Sequence, residues 1–143
     1  MISEECFTEK WLQDLRKRYP LASPQILEKA LYAFESLGLL ARLGHPFVFK
    51  GGTALILMLP ELKRLSIDVD IVGTIPLDVL AQAVQGSRFT NIEEDVRKGD
   101  VPAMHVKFFY KSFFVPSVNY VLVDMLRDDH AYKIGRASCR ERV

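Results

Sequence analysis

The sequence predicts an α/β (α+β) fold with a mixed β-sheet of about four to five strands, flanked by helices and preceded by an N-terminal helical pair. The first observation is helical periodicity, with apolar residues three or four apart, in two segments before residue 45. The second is a series of short apolar runs rich in Val, Ile and Phe, which are typical of strands. The third is a crossover segment, residues 76–85, whose length is typical of a helix that joins parallel strands.

The composition indicates a globular protein. The chain has 143 residues, of which 49% are hydrophobic and 26% charged, and this length allows one domain. No apolar run reaches the roughly 18 to 20 residues of a membrane span, and the polar, acidic N-terminus is not typical of a secretory signal, so no membrane partner is expected. Two cysteines, Cys6 and Cys139, do not make a disulfide framework, which favours the cytoplasm. The net charge of +1 argues against strong nonspecific nucleic-acid binding, and no DNA partner is expected.

We expect three regions along the chain: N-terminal helices in residues 1–45, a core in residues 46–132 and a terminal segment in residues 133–143. The terminal segment has no periodicity and contains three arginines. It resembles the in-frame translation of a short-read sequencing adapter, so we exclude it from the fold and expect a different native C-terminal sequence. A disordered native tail is the alternative.

The N-terminal helical pair is predicted from periodicity and capping residues. The first helix is expected over residues 8–19 and ends before Pro20, because proline cannot continue a helix. Ser23 is a typical capping residue and Pro24 is favoured at the first helical position. The second helix is therefore expected over residues 24–43.

A glycine-rich turn, Lys50-Gly51-Gly52-Thr53, separates the first expected strand (residues 47–49) from an apolar helix expected over residues 54–62. Glycine lets the backbone approach a ligand closely and take positive φ. The free N–H groups at the start of the following helix favour anions. The turn is therefore a candidate phosphate site. Thr53 is expected to cap the helix, to donate to a phosphate, or both, and Lys50 either to reach a phosphate or to lie exposed at the strand end.

Two carboxylates follow on the next expected strand, at Asp68 and Asp70. Side chains two residues apart on a strand share a face, so both carboxylates are expected to point the same way. Paired carboxylates suit Mg²⁺, which is held by one or two carboxylates together with substrate phosphates. The turn and the Asp-x-Asp pair together predict a nucleotide and metal site, at the open edge of the sheet. A Walker-type NTPase is excluded, because no Gly-Lys-Ser/Thr follows the glycines.

The second half of the core is expected to contain three strands. The crossover helix leads to a weak strand near residues 89–91 and then to a charged solvent turn, residues 93–100. Residues 104–110 and 120–126 are expected to form an antiparallel hairpin, because their connecting loop contains Pro116 and Ser117.

Asp124 stands among apolar neighbours late in the last expected strand. A buried lone carboxylate is costly without a partner or a metal, so Asp124 is a candidate ligand. The alternative is an aspartate at a fraying strand end beside Arg127. Lys107 is a candidate phosphate contact or a surface lysine. His105 is expected to be structural, because Mg²⁺ prefers oxygen ligands.

The segments KGGTAL (residues 50–55) and RLSIDVDI (residues 64–71) resemble the signature of the nucleotidyl transferase AbiEii/AbiGii toxin family, KGGTxL followed by RxSxDxD. That family belongs to the DNA polymerase β-like nucleotidyltransferase superfamily. Ile67 departs from the Glu that is common before the first aspartate. The resemblance covers about residues 27–128 and implies a nucleotidyltransferase core.

The resemblance also implies an activity and its residues. Paired aspartates bind Mg²⁺, a third carboxylate completes the metal site, and the glycine-rich turn holds the incoming nucleotide. The candidate catalytic and metal-binding residues are Asp68, Asp70 and Asp124. The candidate nucleotide-binding residues are Lys50, Gly51, Gly52, Thr53 and Lys107. Two Mg²⁺ ions would act on an NTP, whose α-phosphorus is attacked by an acceptor hydroxyl.

Members of the resembled family are toxins of toxin–antitoxin or phage-defence systems. The resemblance therefore implies a cognate antitoxin and a tRNA 3′ end as a candidate acceptor. It also implies further C-terminal helices with a basic motif, which these 143 residues lack, so the chain is expected to be an incomplete enzyme.

Three alternatives remain open at this level. One is a nucleotidyltransferase that modifies a small molecule such as an aminoglycoside. Another is a glycosyltransferase, in which Asp-x-Asp also binds a metal and a nucleotide, although the Gly-Gly-Thr helix argues against it. The third is an inactive, truncated or degenerate binding module.

Overall fold

The structure is a computed structural model that describes residues 2–61, 65–99 and 102–127. The predicted terminal segment, residues 133–143, lies outside the described residues, as do Leu62 and Cys139. A 3₁₀ turn at Glu4–Cys6 precedes the regular elements, which are α1 (Glu9–Arg18), α2 (Pro24–Arg42), β1 (Val48–Lys50), α3 (Gly51–Met58), β2 (Val69–Val72), α4 (Leu77–Val84), β3 (Asn91–Glu94), β4 (Ala103–Lys111) and β5 (Val118–Leu126).

The N-terminal helical pair is confirmed, together with its caps. The Thr8 side chain accepts a hydrogen bond from the Trp11 N–H at the start of α1. The Ser23 side chain accepts one from the Ile26 N–H, and Pro24 occupies the first turn of α2. Each cap satisfies one of the N–H groups that a helix leaves without an internal partner.

The five strands form one mixed sheet in the order β1-β2-β5-β4-β3. Strands β2 and β5 are parallel, and the other neighbouring pairs are antiparallel. The predicted hairpin is confirmed, since β4 and β5 pair from Ala103–Leu126 to Lys111–Val118. Helix α4 connects β2 to β3, but these two strands are not neighbours in the sheet. Two strands separate them, although β3 runs in the same direction as β2.

Three boundaries differ from the prediction. Helix α3 begins at Gly51, directly after β1, so the glycines belong to its first turn. Strand β2 begins at Val69, which leaves Asp68 just before the strand. Strand β3 includes Glu93 and Glu94, which were expected in a solvent turn, because β4 offers them backbone partners. The local charge predicts correctly that these two residues are exposed. The expectation that they lie outside a strand is wrong, because they pair with β4.

One face of the sheet is buried against helices and the other is open. The fully buried residues of β4 and β5 alternate along each strand, and they are Val106, Phe108, Tyr110, Val121, Val123 and Met125. Tyr32 of α2 stacks on Tyr110 with the ring centroids 3.9 Å apart. The N-terminal helices therefore share one hydrophobic core with the sheet.

Glu28 of α2 anchors the loop between β4 and β5. The Ser112 hydroxyl donates to Glu28 Oε2 over 2.8 Å, and the Phe113 N–H donates to Glu28 Oε1 over 3.0 Å. Glu28 is only 1% exposed, and this burial raises the pKa of its carboxyl, although the two hydrogen bonds lower it in part. A buried carboxylate is tolerated here because both of its oxygens accept hydrogen bonds.

Helix α3 is apolar but largely exposed. Leu55, Leu57 and Met58 are 55%, 60% and 79% exposed, and Thr53 is the buried residue of the helix. A helix that is hydrophobic on all sides is usually buried, but the part of the chain that the structure describes does not cover this one. None of the described helices is both long enough and apolar enough to cross a membrane.

Candidate functional site

Four strands bring four polar residues into one row across the sheet. Lys50 on β1 pairs with Asp70 on β2, and Asp70 pairs with Asp124 on β5. Asp124 in turn pairs with His105 on β4. Residues directly opposite one another on neighbouring strands have side chains on the same face. The chain thus places a lysine, two aspartates and a histidine side by side, although they are far apart in sequence.

This row lies on the open face of the sheet. The residues that flank Asp70 and Asp124 on their own strands point to the other face and are buried: Val69, Ile71, Val123 and Met125. Asp70 and Asp124 themselves are only partly buried. They stand on the second and third strands of the sheet, so these two carboxylates do not lie at the open edge, where the site was expected.

Gly51 brings the start of α3 against the Asp70 carboxylate. Its φ is +80°, in the left-handed region that glycine adopts readily. A Cβ atom at this position would overlap Asp70 Oδ2 and lie 3.1 Å from Asp70 Cγ. Any side chain would therefore displace the carboxylate. Glycine is required at position 51 for both its conformation and its lack of a side chain.

The first turn of α3 is tied to the segment before β2. The Thr53 hydroxyl, which is fully buried, donates to the backbone carbonyl of Asp68. A Cβ atom on Gly52 would lie 3.2 Å from Ser66 Oγ, so the backbone there is also closely approached. The Thr53 hydroxyl thus has a protein acceptor and does not cap its own helix, which differs from both expected roles.

The N-terminus of α3 keeps its N–H groups available. Lys50 holds the capping position and makes no side-chain capping hydrogen bond within the described residues, in contrast to Thr8 in α1 and Ser23 in α2. Uncapped N–H groups and the positive end of the helix dipole form a surface that attracts anions. This surface lies directly beside the Asp70 carboxylate.

The pKa of the Asp70 carboxyl is raised, because the group is partly removed from water and stands beside the Asp124 carboxylate. The Lys50 ammonium lowers this pKa in part, and Asp68 raises it further. Two like charges at such a site repel each other unless a cation lies between them. The electrostatics of the pair therefore favour a bound cation.

Asp124 has a protein partner on its other side. His105 Nδ1 lies 2.5 Å from Asp124 Oδ1, and both side chains are mostly buried, with 17% and 29% exposed. Asp124 is therefore not a lone carboxylate at a fraying strand end beside Arg127. It is a paired residue in the interior of the sheet.

Asp68, the first aspartate of the predicted Asp-x-Asp pair, is not brought into the row. It is exposed and precedes β2, and its backbone carbonyl is held by Thr53. Across residues 2–61, 65–99 and 102–127, no set of three or more His, Cys, Asp or Glu side chains is arranged to hold a metal ion. The structure thus brings together Asp70 and Asp124 as a pair.

The donor chemistry of this pair fits Mg²⁺. All donors are carboxylate oxygens, and Mg²⁺ is usually held by one or two carboxylates with water and substrate phosphates completing its shell. A glycine backbone that leaves no room for a side chain lies against one of these carboxylates. Asp70 and Asp124 are the described residues that could hold such an ion.

Lys107 lies away from the glycine-rich turn. It is on β4, one step along the open face from His105, and its Nζ is 3.9 Å from Asp95 Oδ1 and 5.2 Å from the centre of the Tyr120 ring. Lys50 lies beside the turn and is exposed. Of the two predicted phosphate-binding lysines, the structure places only Lys50 next to Gly51 and Asp70.

The residue pattern did not predict the contact of His105 with Asp124 or the closeness of Ser66 to Gly52. The signal for His105 is present in the predicted hairpin, because the antiparallel register alone sets His105 opposite Asp124. That register depends on the length of the connecting loop, which the residue pattern did not fix. Ser66 belongs to the RxSxDxD signature but carries no local hint of its contact with Gly52.

Residues 38–131 match the family described as Nucleotidyl transferase AbiEii toxin, Type IV TA system. The match covers more than half of the chain, and it includes the glycine-rich turn, the Asp-x-Asp pair and Asp124. The fold is similar to that of nucleotidyltransferase-like proteins, and the matched residues include the candidate site. The chain belongs to the nucleotidyl transferase AbiEii toxin family, which confirms the resemblance seen in the sequence.

Solved structures are similar at low identity. JHP933 from Helicobacter pylori aligns with a TM-score of 0.51 and 17% identity over 75% of this chain and 47% of its own. An antigenic nucleotidyltransferase-like protein from Paracoccidioides brasiliensis aligns with a TM-score of 0.49 and 18% identity over 71% of this chain and 47% of its own. A third structure, from H. pylori and described as a nucleotidyltransferase, aligns with a TM-score of 0.46 and 17% identity over 72% of this chain and 48% of its own.

The similarity to JHP933 supports a shared fold. The chain spans about half the length of these solved structures. A search of curated proteins finds no match.

Proposed function

We propose that this chain carries the core of a Mg²⁺-dependent nucleotidyltransferase, in which an acceptor hydroxyl attacks the α-phosphorus of an NTP, takes the NMP and displaces pyrophosphate. The observation that supports it most directly is the contact between the Gly51 backbone and the Asp70 carboxylate, with Asp124 on the next strand. It sets an anion-binding helix start beside a pair of cation-binding oxygens. A metal-bound triphosphate carries both kinds of charge and matches both surfaces.

Each residue has a role in this proposal. The N–H groups of Gly51, Gly52 and Thr53 bind the β- and γ-phosphates, and the Lys50 ammonium neutralises part of their charge. The Thr53 hydroxyl fixes the first turn of α3 to the segment before β2. Asp70 and Asp124 bind the ion, and Asp68, at the edge of the site, reaches the ion or its water shell on the nucleotide side. Lys107 contacts the substrate farther along the open face.

The protein contributes mainly position and charge. When bound, Mg²⁺ neutralises the triphosphate and makes the acceptor hydroxyl more acidic. The row of paired strands fixes Asp70 and Asp124 on a rigid sheet, so that little geometry changes when the substrate arrives. Asp124, on the side of the pair away from α3, faces the acceptor and accepts its proton.

The wider setting follows the family. We propose that the protein is the toxin of a toxin–antitoxin system with a role in phage defence, that a tRNA 3′ end is the acceptor and that a cognate antitoxin restrains it. The near-neutral charge of the chain supports an acceptor that is also held outside this core. The chain spans about half the length of the similar solved structures, which leaves room for such a region.

The test is label transfer from each α-labelled NTP to total tRNA with Mg²⁺, comparing the unaltered chain with Asp70→Asn. We expect the variant to lose at least about 100-fold in rate, because it loses one of the two charges that bind the ion. Asp78→Asn is the matched control, since Asp78 is an exposed aspartate on α4. Circular dichroism checks that both variants fold.

Two outcomes would contradict the proposal. One is an Asp70→Asn rate equal to that of the unaltered chain. The other is a folded, unaltered chain that neither transfers label nor binds any of the four NTPs in the presence of Mg²⁺.

A further inference from the structure

Asp124 has opposite environments on its two sides. On the β2 side stands Asp70, a like charge at the directly paired position. On the β4 side stands His105, whose Nδ1 lies 2.5 Å from Asp124 Oδ1. Repulsion from Asp70 alone would turn the Asp124 carboxylate away from the pair. The contact with His105 fixes one of its oxygens in place.

The chemistry of the contact defines the donor. A carboxylate accepts hydrogen bonds only, so Nδ1 of His105 carries the proton and donates to Oδ1. Within residues 2–61, 65–99 and 102–127, His105 is the only side chain that hydrogen-bonds Asp124. The second oxygen, Oδ2, therefore keeps its lone pairs for a ligand.

His105 is itself held firmly. It lies in the interior of β4, between strands β5 and β3, and its side chain is 17% exposed. Its backbone carbonyl accepts a hydrogen bond of 2.8 Å from the Asp95 N–H, which extends the pairing beyond the end of β3. A ring fixed in this way can fix the carboxylate that it contacts.

We propose that His105 is a positioning residue of the site, which orients Asp124 so that Oδ2 is available to a divalent cation bound with Asp70. The inference rests on the proposed function for its biological meaning, but it concerns cation binding and can be measured without transfer. Hydrogen-bond partners of metal ligands commonly affect metal affinity by about 10- to 100-fold, which sets the expected size of the effect.

The experiment uses Mn²⁺ as the probe, because it accepts the same oxygen ligands as Mg²⁺ and its unbound ion is counted by electron paramagnetic resonance. The full chain is compared with His105→Ala and His105→Asn. We expect His105→Ala to weaken Mn²⁺ binding by about 10-fold. We expect His105→Asn to restore most of that loss, because its amide N–H₂ can donate where Nδ1 did.

Two further variants separate positioning from other effects. His45→Ala removes a histidine that lies in the loop before β1, and it should leave Mn²⁺ affinity unchanged. Asp124→Asn should weaken binding at least as much as His105→Ala does. In the double variant the two losses should not add, because His105 acts through Asp124.

The outcomes distinguish this inference from the proposed function. If His105→Ala binds Mn²⁺ as tightly as the unaltered chain, or if Asn is no better than Ala while all variants fold, His105 has a structural role only and the inference is overturned. It is also overturned if the unaltered chain binds no Mn²⁺. If the Mn²⁺ series behaves as expected but no label transfer occurs, the inference stands and the proposed function fails.

Discussion

At the scale of single residues, Asp70 occupies a position that costs folding stability. Burial and the Asp124 carboxylate raise the pKa of Asp70 in the folded protein above its ordinary value. A carboxyl with a raised folded pKa binds its proton more readily in the folded than in the unfolded state. Its contribution to stability is therefore present at low pH and is lost as the pH rises through the folded pKa. Binding sites often carry such a cost.

We predict that Asp70→Asn stabilises the metal-free protein at pH 7 by on the order of 1 kcal/mol, because the neutral amide removes the buried charge and its repulsion with Asp124. The difference should shrink as the pH falls through the raised folded pKa of Asp70 and should be smallest below about 4, where the aspartate is protonated in both the folded and the unfolded protein. Urea unfolding in the presence of a chelator, at several pH values, measures it.

Asp78→Asn is the control, and it should show no such difference at any pH. A metal-free Asp70→Asn variant that is less stable than the unaltered protein at pH 7 would contradict this account of the site.

The residues of the glycine-rich turn and of the Asp-x-Asp pair could be named from the sequence because their chemistry is local. Gly51 is recognisable beside Gly52 and a helix start, and Asp70 is recognisable from its spacing to Asp68. The contact between His105 and Asp124 could not be named, because it depends on a pairing between two strands. The position of Asp68 outside the row could not be named for a related reason. The start of β2 depends on which residues β5 pairs.

At the scale of elements, the hairpin β4–β5 is held to α2 by one buried carboxylate. Glu28 accepts from the Ser112 hydroxyl and from the Phe113 N–H, both in the loop of the hairpin. Both strands of the hairpin were predictable from their apolar alternation, whereas this anchor was not. Glu28 lies on the face of α2 whose spacing also fits a solvent-exposed glutamate, and only the packed hairpin shows that it is buried.

We predict that Glu28→Ala lowers the free energy of unfolding by about 2 to 4 kcal/mol, because it leaves a buried N–H and a hydroxyl without their acceptor and creates a cavity. Glu28→Gln should cost within about 1 kcal/mol, since its amide oxygen can still accept from Phe113. Thermal and urea unfolding of the three proteins at pH 7 make the comparison.

The pH dependence of the free energy of unfolding should also distinguish the unaltered protein from the Glu28 variants. Burial raises the pKa of Glu28, so the unaltered protein loses the corresponding stability as the pH rises from 4.5 through the folded pKa. Glu28→Gln should lack this part of the pH dependence. Equal losses from Ala and Gln at every pH would show that the carboxylate does not anchor the loop.

At the scale of the whole molecule, one face of the sheet stabilises the fold and the opposite face carries the proposed site. One face packs against helices and contains the hydrophobic core, and the other carries the charged row. The fold class was predictable because apolar periodicity reports burial, and burial on one face determines which elements pack together. Strand order was not predictable, since α4 joins β2 to a strand two places beyond β5.

Within the part of the chain that the structure describes, α3 exposes several large apolar side chains to solvent. We predict that the chain self-associates through this surface, because exposed apolar patches of this kind favour contact. Leu55→Gln combined with Met58→Gln should reduce association in sedimentation experiments and change the free energy of unfolding by less than about 0.5 kcal/mol.

Leu80→Gln is the contrasting variant, because Leu80 is fully buried on α4. The same chemical change there should destabilise the protein strongly. Association that persists unchanged in the Leu55 and Met58 variant would place the contact surface elsewhere.

The parallel pairing of β2 with β5 has a consequence for how the protein comes into being. Asp70 is synthesised before its neighbour Asp124, which lies in the last of the described strands. Contacts between distant segments form slowly and only after both segments have left the ribosome. A growing chain therefore carries the glycine-rich turn and one aspartate well before it carries the pair. The two aspartates therefore come together only after β5 has been synthesised and has paired with β2.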